Sequence, residues 1–316
     1  MDNLYDVIII GGGPSGLTSG IYTSRARLKS LLIESLEIPG QAVIADNIEN
    51  YPGFPEGING FALVEKFKKQ AKTFGLDFAT GTVEKINTVK QNDISFWQIK
   101  TEDKTFNSLS IIVATGASHT KLNVPGEEKF TGKGVSYCAT CDGALFRDKD
   151  IVLVGGGDAA VEEALFLTKF CRKITLIHRR DSLRATKILQ ERILSNKKME
   201  FIWDSRVIEI MGEQKVKSVK VKNIKTNEEK MVTCEGVFIF IGQSPNTGFL
   251  KGIVELDETG YIVADENMKS SREGIFACGD CRRKLLPQIV TACGDGATAA
   301  VSARKCIEKL KGTEYK

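Results

Sequence analysis

The chain has 316 residues, 42% of them hydrophobic and 27% charged, which fits a folded protein of about two domains with ample core. Its 44 basic residues against 40 acidic ones leave a net charge of only +4 with no run of like charge, so neither a nucleic-acid surface nor a charged tail is implied. The start, Met1 to Asp6, lacks the basic region of a secretory leader, and the apolar run Val7–Ile10 is far too short to span a bilayer; a cytoplasmic protein that binds neither nucleic acid nor membrane is expected.

Residues 5 to 16 read YDVIIIGGGPSG. A continuous apolar run such as Val7–Ile10 is the pattern of a strand buried on both faces of a parallel sheet. Gly11, Gly13 and Gly16 follow at G-x-G-x-x-G spacing and open a helix expected from Pro14 to about Arg27. A second apolar strand, Ser30–Ile33, ends at Glu34, 21 residues after Gly13. In this order the elements form the dinucleotide-binding fingerprint. The first glycine makes the tight turn, the second lets backbone approach a pyrophosphate, and the third packs helix on strand. The phosphate meets the positive end of the helix dipole, and Glu34 can accept hydrogen bonds from a free ribose 2′-hydroxyl.

The turn-rich stretch PGQAVIADNIENYPGFPEGING leads to an amphipathic helix, Gly60 to Phe74. Strands are expected at about Phe78–Ile86, Phe96–Thr101 and Lys104–Ser108. A buried strand Ser110–Val113 then ends in Ala114-Thr115-Gly116, and VPGEEKFTGKG reads as a connection out of that domain.

Next comes SYCATCDGALF, in which Cys138 and Cys141 form a C-x-x-C pair. Such pairs serve both metal ligation and thiol–disulfide exchange. Eight cysteines in a cytoplasmic chain are not a structural disulfide framework. A C-x-x-C turn with one thiol near a helix N-terminus has a depressed thiol pKa and so a reactive thiolate. Asp142 directly after the pair is placed either to return a proton to a departing thiolate or to cap the GALF turn.

Residues 151 to 160, IVLVGGGDAA, repeat the first pattern 144 residues on. Strand Ile151–Val154 leads into Gly155-x-Gly157-x-x-Ala160, a helix to about Phe170 and a strand Ile174–Ile177. The same offset carries Glu34 to His178, followed by Arg179 and Arg180, with Arg184 one helical turn further on. Arginines there pair bidentately with a 2′-phosphate that an acid would repel. The first site therefore suits FAD or NAD and the second NADP. The plainer reading of Arg179 and Arg180 is a solvated basic turn, and that of His178 a structural or adenine-neighbouring residue. Two nucleotide sites of opposite ribose preference imply electrons passing from a nicotinamide to a flavin.

Beyond it lie alternating strands Lys217–Lys222 and Lys230–Cys234, an apolar strand Gly236–Ile241, a turn-rich exit at Gly242, a buried-strand pattern in GIFACGD and a final helix from about Gln288 to Leu310. Cys171, Cys234, Cys293 and Cys306 read as small buried hydrophobes. Cys278 and Cys281 are a second C-x-x-C, but 140 positions separate the two pairs, far from zinc-ribbon spacing. The fold expected is α/β: two Rossmann-like, three-layer ββα nucleotide-binding domains, one inserted in the other.

Over essentially its full length the chain resembles the low-molecular-weight thioredoxin reductases of bacteria and archaea. The residues that carry this are GGGPSG, ENYPGFPEGI, ATG at 114–116, CATCDG, GGGDAAVEEA, HRRDSLRA, IGQSPNT, and ACGD followed by a helix. The resemblance implies an FAD domain, 1–116 with 246–316, and an NADPH domain, 117–245, that carries the redox-active pair. FAD would lie on Gly11, Gly13, Pro14, Ser15 and Gly16, with Glu34, Gln41, Asn50 and Val83 beside it. Ala114, Thr115 and Gly116 would approach it, Asp280 after Gly279 would bind its ribityl chain, and Gln288, followed by Ile289, would stand near the isoalloxazine. NADPH would lie on Gly155, Gly157, Asp158, Ala159, His178, Arg179, Arg180 and Arg184, with Ile241 and Gly242 adjoining.

By the same resemblance Cys141 faces the flavin, Cys138 attacks the disulfide of thioredoxin or a thioredoxin-like protein, and Asp142 is the acid/base. The resemblance further implies that one domain rotates against the other about pivots near 116–120 and 242–247, and that the protein is a homodimer. Two residues depart from the family pattern. Pro39 precedes Gly40-Gln41 where many members have a second glycine. Pro287 replaces an arginine before Gln288, which leaves the helix start intact but removes a positive charge near the flavin. Ferredoxin-dependent flavin thioredoxin reductases and small-molecule dithiol/disulfide oxidoreductases of the same fold are the alternatives; the intact HRRDSLR argues for NADPH.

Overall fold

The computed structural model describes residues 4–35, 40–43, 45, 48–91 and 94–313, and Pro39 lies outside them. The chain divides into two compact units. One holds residues up to Ala45, Tyr51–Ser118 and the chain from Ser244 on; the other holds Asp46–Asn50 and His119–Gln243. The joining segments, Ala117–His119 and Gln243–Pro245, pair as a two-stranded ribbon.

In the first unit, β1 (Leu4–Ile10), α1 (Pro14–Arg25), β2 (Ser30–Glu34), α2 (Gly60–Thr73), β3 (Asp77–Thr80), β4 (Val83–Gln91), β5 (Ile94–Thr101) and β6 (Thr105–Val113) follow in chain order. They build a seven-stranded sheet ordered β3-β2-β1-β6-β5-β4, with strand Ile275–Ala277 also on β6. β3, β2, β1, β6 and Ile275–Ala277 run parallel, whereas β5 pairs antiparallel with both β6 and β4. The parallel strands are apolar throughout because each face of the sheet meets a separate core. Val7, Ile9, Leu32 and Ile112 pack with Leu17 of α1 and with Ala299, Ala303 and Ile307 of the C-terminal helix, Ile289–Lys311. Ile8, Ile10, Leu31, Ile111 and Val113 pack with Trp97 and Ile99 on the opposite face.

Two expectations here are corrected. The run expected as one strand, Phe78–Ile86, is broken at Gly81, whose φ of +154° suits glycine and whose N–H makes the last β3–β2 ladder bond, to the Glu34 carbonyl at 3.0 Å. Conversely, Lys104–Ser108 and Ser110–Val113 are one strand that changes partner midway. Residues 105–108 pair with β5 and residues 111–113 with Ile275–Ala277. The Ser108 hydroxyl, donating to the Ser110 carbonyl at 2.6 Å, holds the exchange point.

The second unit has the same plan. Strands Met199–Ile202, Lys173–Ile177, Asp150–Gly155, Gly236–Phe240 and Val135–Ser136 lie side by side in that order, all parallel. Helices Asp158–Leu167 and Lys187–Leu194 contribute to the core on one face, and an antiparallel sheet of Ser205–Gly212, Val216–Asn223 and Glu229–Thr233 to the core on the other. This is the three-layer ββα arrangement. The first helix stops at Leu167, short of Phe170, and the helix Lys187–Leu194 is an addition to the expected elements. Among the described residues no helix is long and apolar enough to cross a membrane.

Within the first unit, α1 and the C-terminal helix cross at their backbones. The Ser19 hydroxyl donates to the Gly296 carbonyl at 3.0 Å, and a Cβ on Gly296 would overlap the Ser15 carbonyl oxygen. Gly294, on the same helix, meets nothing within 4 Å. Gly296→Val should therefore destabilise the first unit by about 3 kcal/mol or more, while Gly294→Ala should be neutral or stabilise by up to ~1 kcal/mol. Urea unfolding of both variants checks the contrast, and equal effects would contradict the close crossing.

Candidate active site: two glycine turns and a dithiol

At the end of β1, Gly11 takes φ +115°, and a Cβ there would overlap the Ala114 carbonyl oxygen. A Cβ on Gly16 would overlap the Gly11 carbonyl, so only a bare backbone lets α1 start this close to the strand. Gly13, between them, meets nothing within 4 Å and occupies the N-cap position with no side-chain cap. Pro14 follows at the first helical position and Ser15 is buried. Among the described residues nothing therefore crowds Gly13 at the first turn of α1, which leaves room for a pyrophosphate at the helix start.

Around this turn the unit gathers two solvent-shielded polar atoms that make no hydrogen bond, Thr115 Oγ1 and Asp280 Oδ1, the second held only by an ion pair to the Lys284 ammonium at 3.6 Å. Buried polar atoms are ordinarily satisfied, so this hydroxyl and this loosely held carboxylate oxygen fit a polyhydroxyl ligand. Ala114 is buried at the end of β6, and Gly116 turns with φ +65°. Gly279, at φ +73°, comes so close to Ser15 that a Cβ would lie 2.5 Å from its Oγ. Gln288 caps the C-terminal helix in a reciprocal pair with Thr291, and Ile289 begins it. Val83 is buried in β4 and Gln41 is exposed in a turn. Asn50 falls in Asp46–Asn50, which clusters with the second unit.

Glu34 ends β2 under Gly12, its Oε2 2.5 Å from where a Cβ of that glycine would stand. It forms an ion pair with Lys68 of α2, whose ammonium also lies 5.4 Å from the Phe78 ring centre. Lys68 escaped the sequence reading because α2 reaches β2 only through the fold.

The second glycine turn copies the first. A Cβ on Gly155 would stand 2.5 Å from Ala160 Cβ and 2.7 Å from the Phe240 carbonyl oxygen, while Gly157 meets nothing within 4 Å. Gly156 lies against the His178 ring as Gly12 lies against Glu34, so the 144-residue offset holds in space. His178 is buried, its Nε2 has no partner, and burial, with Arg184, Arg179 and Arg180 nearby, pushes its pKa down. The imidazole is neutral and the three guanidiniums supply the charge. All three arginines are exposed. Their loop is tied back to the glycine turn: the Arg184 N–H donates to the Gly156 carbonyl at 2.7 Å, and the Thr186 N–H to Asp158 Oδ1 at 2.7 Å. Ala159 is exposed on the first helical turn; Ile241 is 39% exposed and Gly242 has φ +128°.

In the same unit Cys138 and Cys141 form a disulfide, both partly exposed. Cys138 is the N-cap of the short turn Ala139–Asp142, and the Cys141 N–H donates to Cys138 Sγ at 3.1 Å. Asp142 stands at the N-cap of the 3₁₀ turn Gly143–Phe146, but its side chain makes no capping hydrogen bond, so the capping reading is corrected. Tyr137, just before the pair, is fixed on two sides. Its hydroxyl donates to Glu127 Oε1 at 2.8 Å, and its ring stacks on His119 with 5.1 Å between centres. Gln243 Nε2 meets His119 Nδ1 at 3.0 Å, and burial holds the His119 pKa down to about 4. No local motif marks this cluster, because its members are 8 to 124 residues apart in sequence.

Comparison with known proteins agrees with this geometry. Residues 5–296 match the family model described as pyridine nucleotide-disulphide oxidoreductase. A thioredoxin reductase of Treponema pallidum (strain Nichols) is 47% identical over 311 residues, covering 98% of this chain and 100% of the relative. One from Bacillus subtilis (strain 168) is 45% identical over 313 residues, covering 99% and 98%. The crystal structure of thioredoxin reductase from Streptococcus pyogenes MGAS5005 superposes with a TM-score of 0.92 at 44% identity, covering 98% of this chain and 100% of that one. With both glycine turns, the disulfide and nearly the whole length in agreement, the chain belongs to the pyridine nucleotide-disulphide oxidoreductases.

Proposed function

We propose that the chain is a thioredoxin reductase that draws electrons from NADPH by way of FAD and delivers them through Cys138 and Cys141. The observation that carries this reading is the partly exposed Cys138–Cys141 disulfide, with an N–H on one of its sulfurs, in the same unit as the arginine-rich glycine turn. The relatives' names supply the substrate class.

The residues fit both cofactors. FAD would be held by the turn Gly11–Gly16, by Glu34 at the adenosine ribose, and by Thr115 and Asp280, whose Oγ1 and Oδ1 are shielded and make no hydrogen bond. Gln41, Asn50 and Gln288 join this set by family resemblance. NADPH would be held by Gly155–Asp158 and by Arg179, Arg180 and Arg184. When bound, NADPH supplies a hydride and FAD the two-electron relay that reopens the Cys138–Cys141 disulfide.

In the dithiol form, the Cys138 thiolate attacks one sulfur of the substrate disulfide and the other sulfur leaves as a thiolate. Asp142 delivers the proton that this leaving group takes up. Cys141 then attacks Cys138, releasing the substrate dithiol and restoring the intramolecular disulfide. The Cys141 N–H at Cys138 Sγ stabilises the thiolate on the attacking sulfur, which supports the division of labour between the two. The other six cysteines are poor nucleophiles. Burial pushes the thiols of Cys171 and Cys281 up to about 11 and Cys234 to about 12, and raises Cys278, Cys293 and Cys306. Gly116 and Gly242, both at positive φ beside the joining ribbon, supply backbone freedom for the domain rotation that the family resemblance implies.

Two outcomes test the reading. Cys138→Ser should abolish reduction of a thioredoxin disulfide yet leave anaerobic bleaching of the flavin by NADPH intact; loss of bleaching would remove Cys138 from its assigned step. Arg179→Ala with Arg180→Ala should raise the KM for NADPH by about tenfold or more while leaving that for NADH nearly unchanged. Equal effects on both nucleotides would overturn the 2′-phosphate role.

A further inference from the structure

Lys284 belongs to no motif, yet it sits at the centre of a charge cluster in the first unit. Its side chain is only 8% exposed, and Nζ lies 2.8 Å from Asp295 Oδ2 and 3.6 Å from Asp280 Oδ1. Asp295 Oδ2 also accepts from the Gly279 N–H at 3.2 Å and from Arg282 Nη1 at 3.4 Å. Two carboxylates and two cations thus neutralise one another around a largely buried ammonium. Such a set persists only if charges and hydrogen bonds balance.

The same ammonium ties a loop. Nζ donates to Thr291 Oγ1 at 3.3 Å; that oxygen also accepts from the Gln288 N–H at 3.2 Å and donates to the Leu286 carbonyl at 2.7 Å. One hydroxyl, with every hydrogen-bonding position used, joins Lys284, Leu286, Gln288 and the first turn of the C-terminal helix. Between these anchors Leu285 is fully exposed and Pro287 has no N–H to offer, so the loop has few other ties.

We propose, resting on the FAD site proposed above, that Lys284 is a positioning residue for the flavin: it keeps Asp280 ionised with Oδ1 free to accept a ligand hydroxyl, and it pins the 284–288 loop to the helix start. The interaction geometry is matched by the charge environment. Burial raises the Asp280 pKa, Lys284 is the foremost group opposing that rise, and Asp295 adds to it. Tyr261 also faces this carboxylate and stays neutral, its own pKa raised, first by burial. The adjoining Cys281 thiol, pushed up to about 11, is neutral as well, and Arg282 acts on Asp295. Without Lys284, one cation would face two carboxylates and the rise that burial imposes on the Asp280 carboxyl would lose its main opponent.

The test is the pH dependence of FAD retention by the full-length holoprotein, read from the fluorescence of flavin released on dilution. If the ligand hydroxyl needs ionised Asp280, affinity is greatest above the carboxyl's pKa in the free protein and falls as pH drops through it. The wild type should hold a nearly constant Kd from pH 8 to pH 6. In Lys284→Met and Lys284→Gln, the Kd should weaken by about tenfold or more over that range. Lys284→Arg should restore the flat profile, and Lys284→Met with Asp280→Asn should bind weakly but without pH dependence. Should Lys284→Met fail to fold, Lys284→Gln decides. A wild-type Kd in the single variants, or a loss equal at every pH and accompanied by a lower Tm, would overturn the proposal. A wild type that binds no FAD would instead overturn the functional reading beneath it.

Discussion

Backbone meets backbone at the start of α1, and the rest of the first unit depends on it. Gly16 presses on the Gly11 carbonyl and Gly11 on that of Ala114, so strand end, helix start and the end of β6 are locked within contact distance. One more carbon at either position would push the helix off the sheet. Because these two glycines are jammed and a Cβ on Gly13 would meet nothing within 4 Å among the described residues, the helix start is both tightly packed and approachable. Close packing and the proposed pyrophosphate site would be two consequences of one geometry. The second unit keeps the jammed Gly155 and open Gly157, with Ala160 as the third packing residue.

What separates the two units is the side chain at the end of the second strand. Gly12 and Gly156 each lie against that side chain, the only kind of neighbour small enough to allow it. In one unit it is a carboxylate balanced by Lys68. In the other it is a neutral, buried imidazole beneath three exposed arginines. The difference gives one turn an acidic neighbour and its copy a cationic one, which is the basis of the two ribose preferences proposed above. The disulfide belongs to the cationic unit, next to a tyrosine clamped by Glu127 and His119.

Much of this was legible in the chain itself. The glycine spacings, buried strands, terminal Glu34 and arginine loop are local patterns whose physics acts within about thirty residues, and the structure places them accordingly. The separation of the cysteines into an accessible pair and buried singles also followed from their local company, although Cys293 and Cys306 are only partly buried. What escaped the sequence reading is tertiary. The partner exchange along β6 depends on Ile275–Ala277 arriving from more than 160 residues away. Lys68 reaches Glu34, and Lys284 reaches Asp295, only after helices have docked. Gly81 ended a strand that alternation alone would have continued, because its backbone turns to φ +154°.

The central claim is that one chain couples two unlike nucleotide sites to one dithiol. Anaerobic titration of the purified, oxidised protein with NADPH, followed by flavin absorbance and by thiol counting after quenching, measures that coupling directly. The account predicts a yellow protein that takes up about two hydride equivalents per chain, one pair of electrons held by the flavin and one by Cys138 and Cys141. A colourless protein, or a flavin that bleaches fully at one equivalent while both cysteines remain disulfide-bonded at any excess, would contradict it.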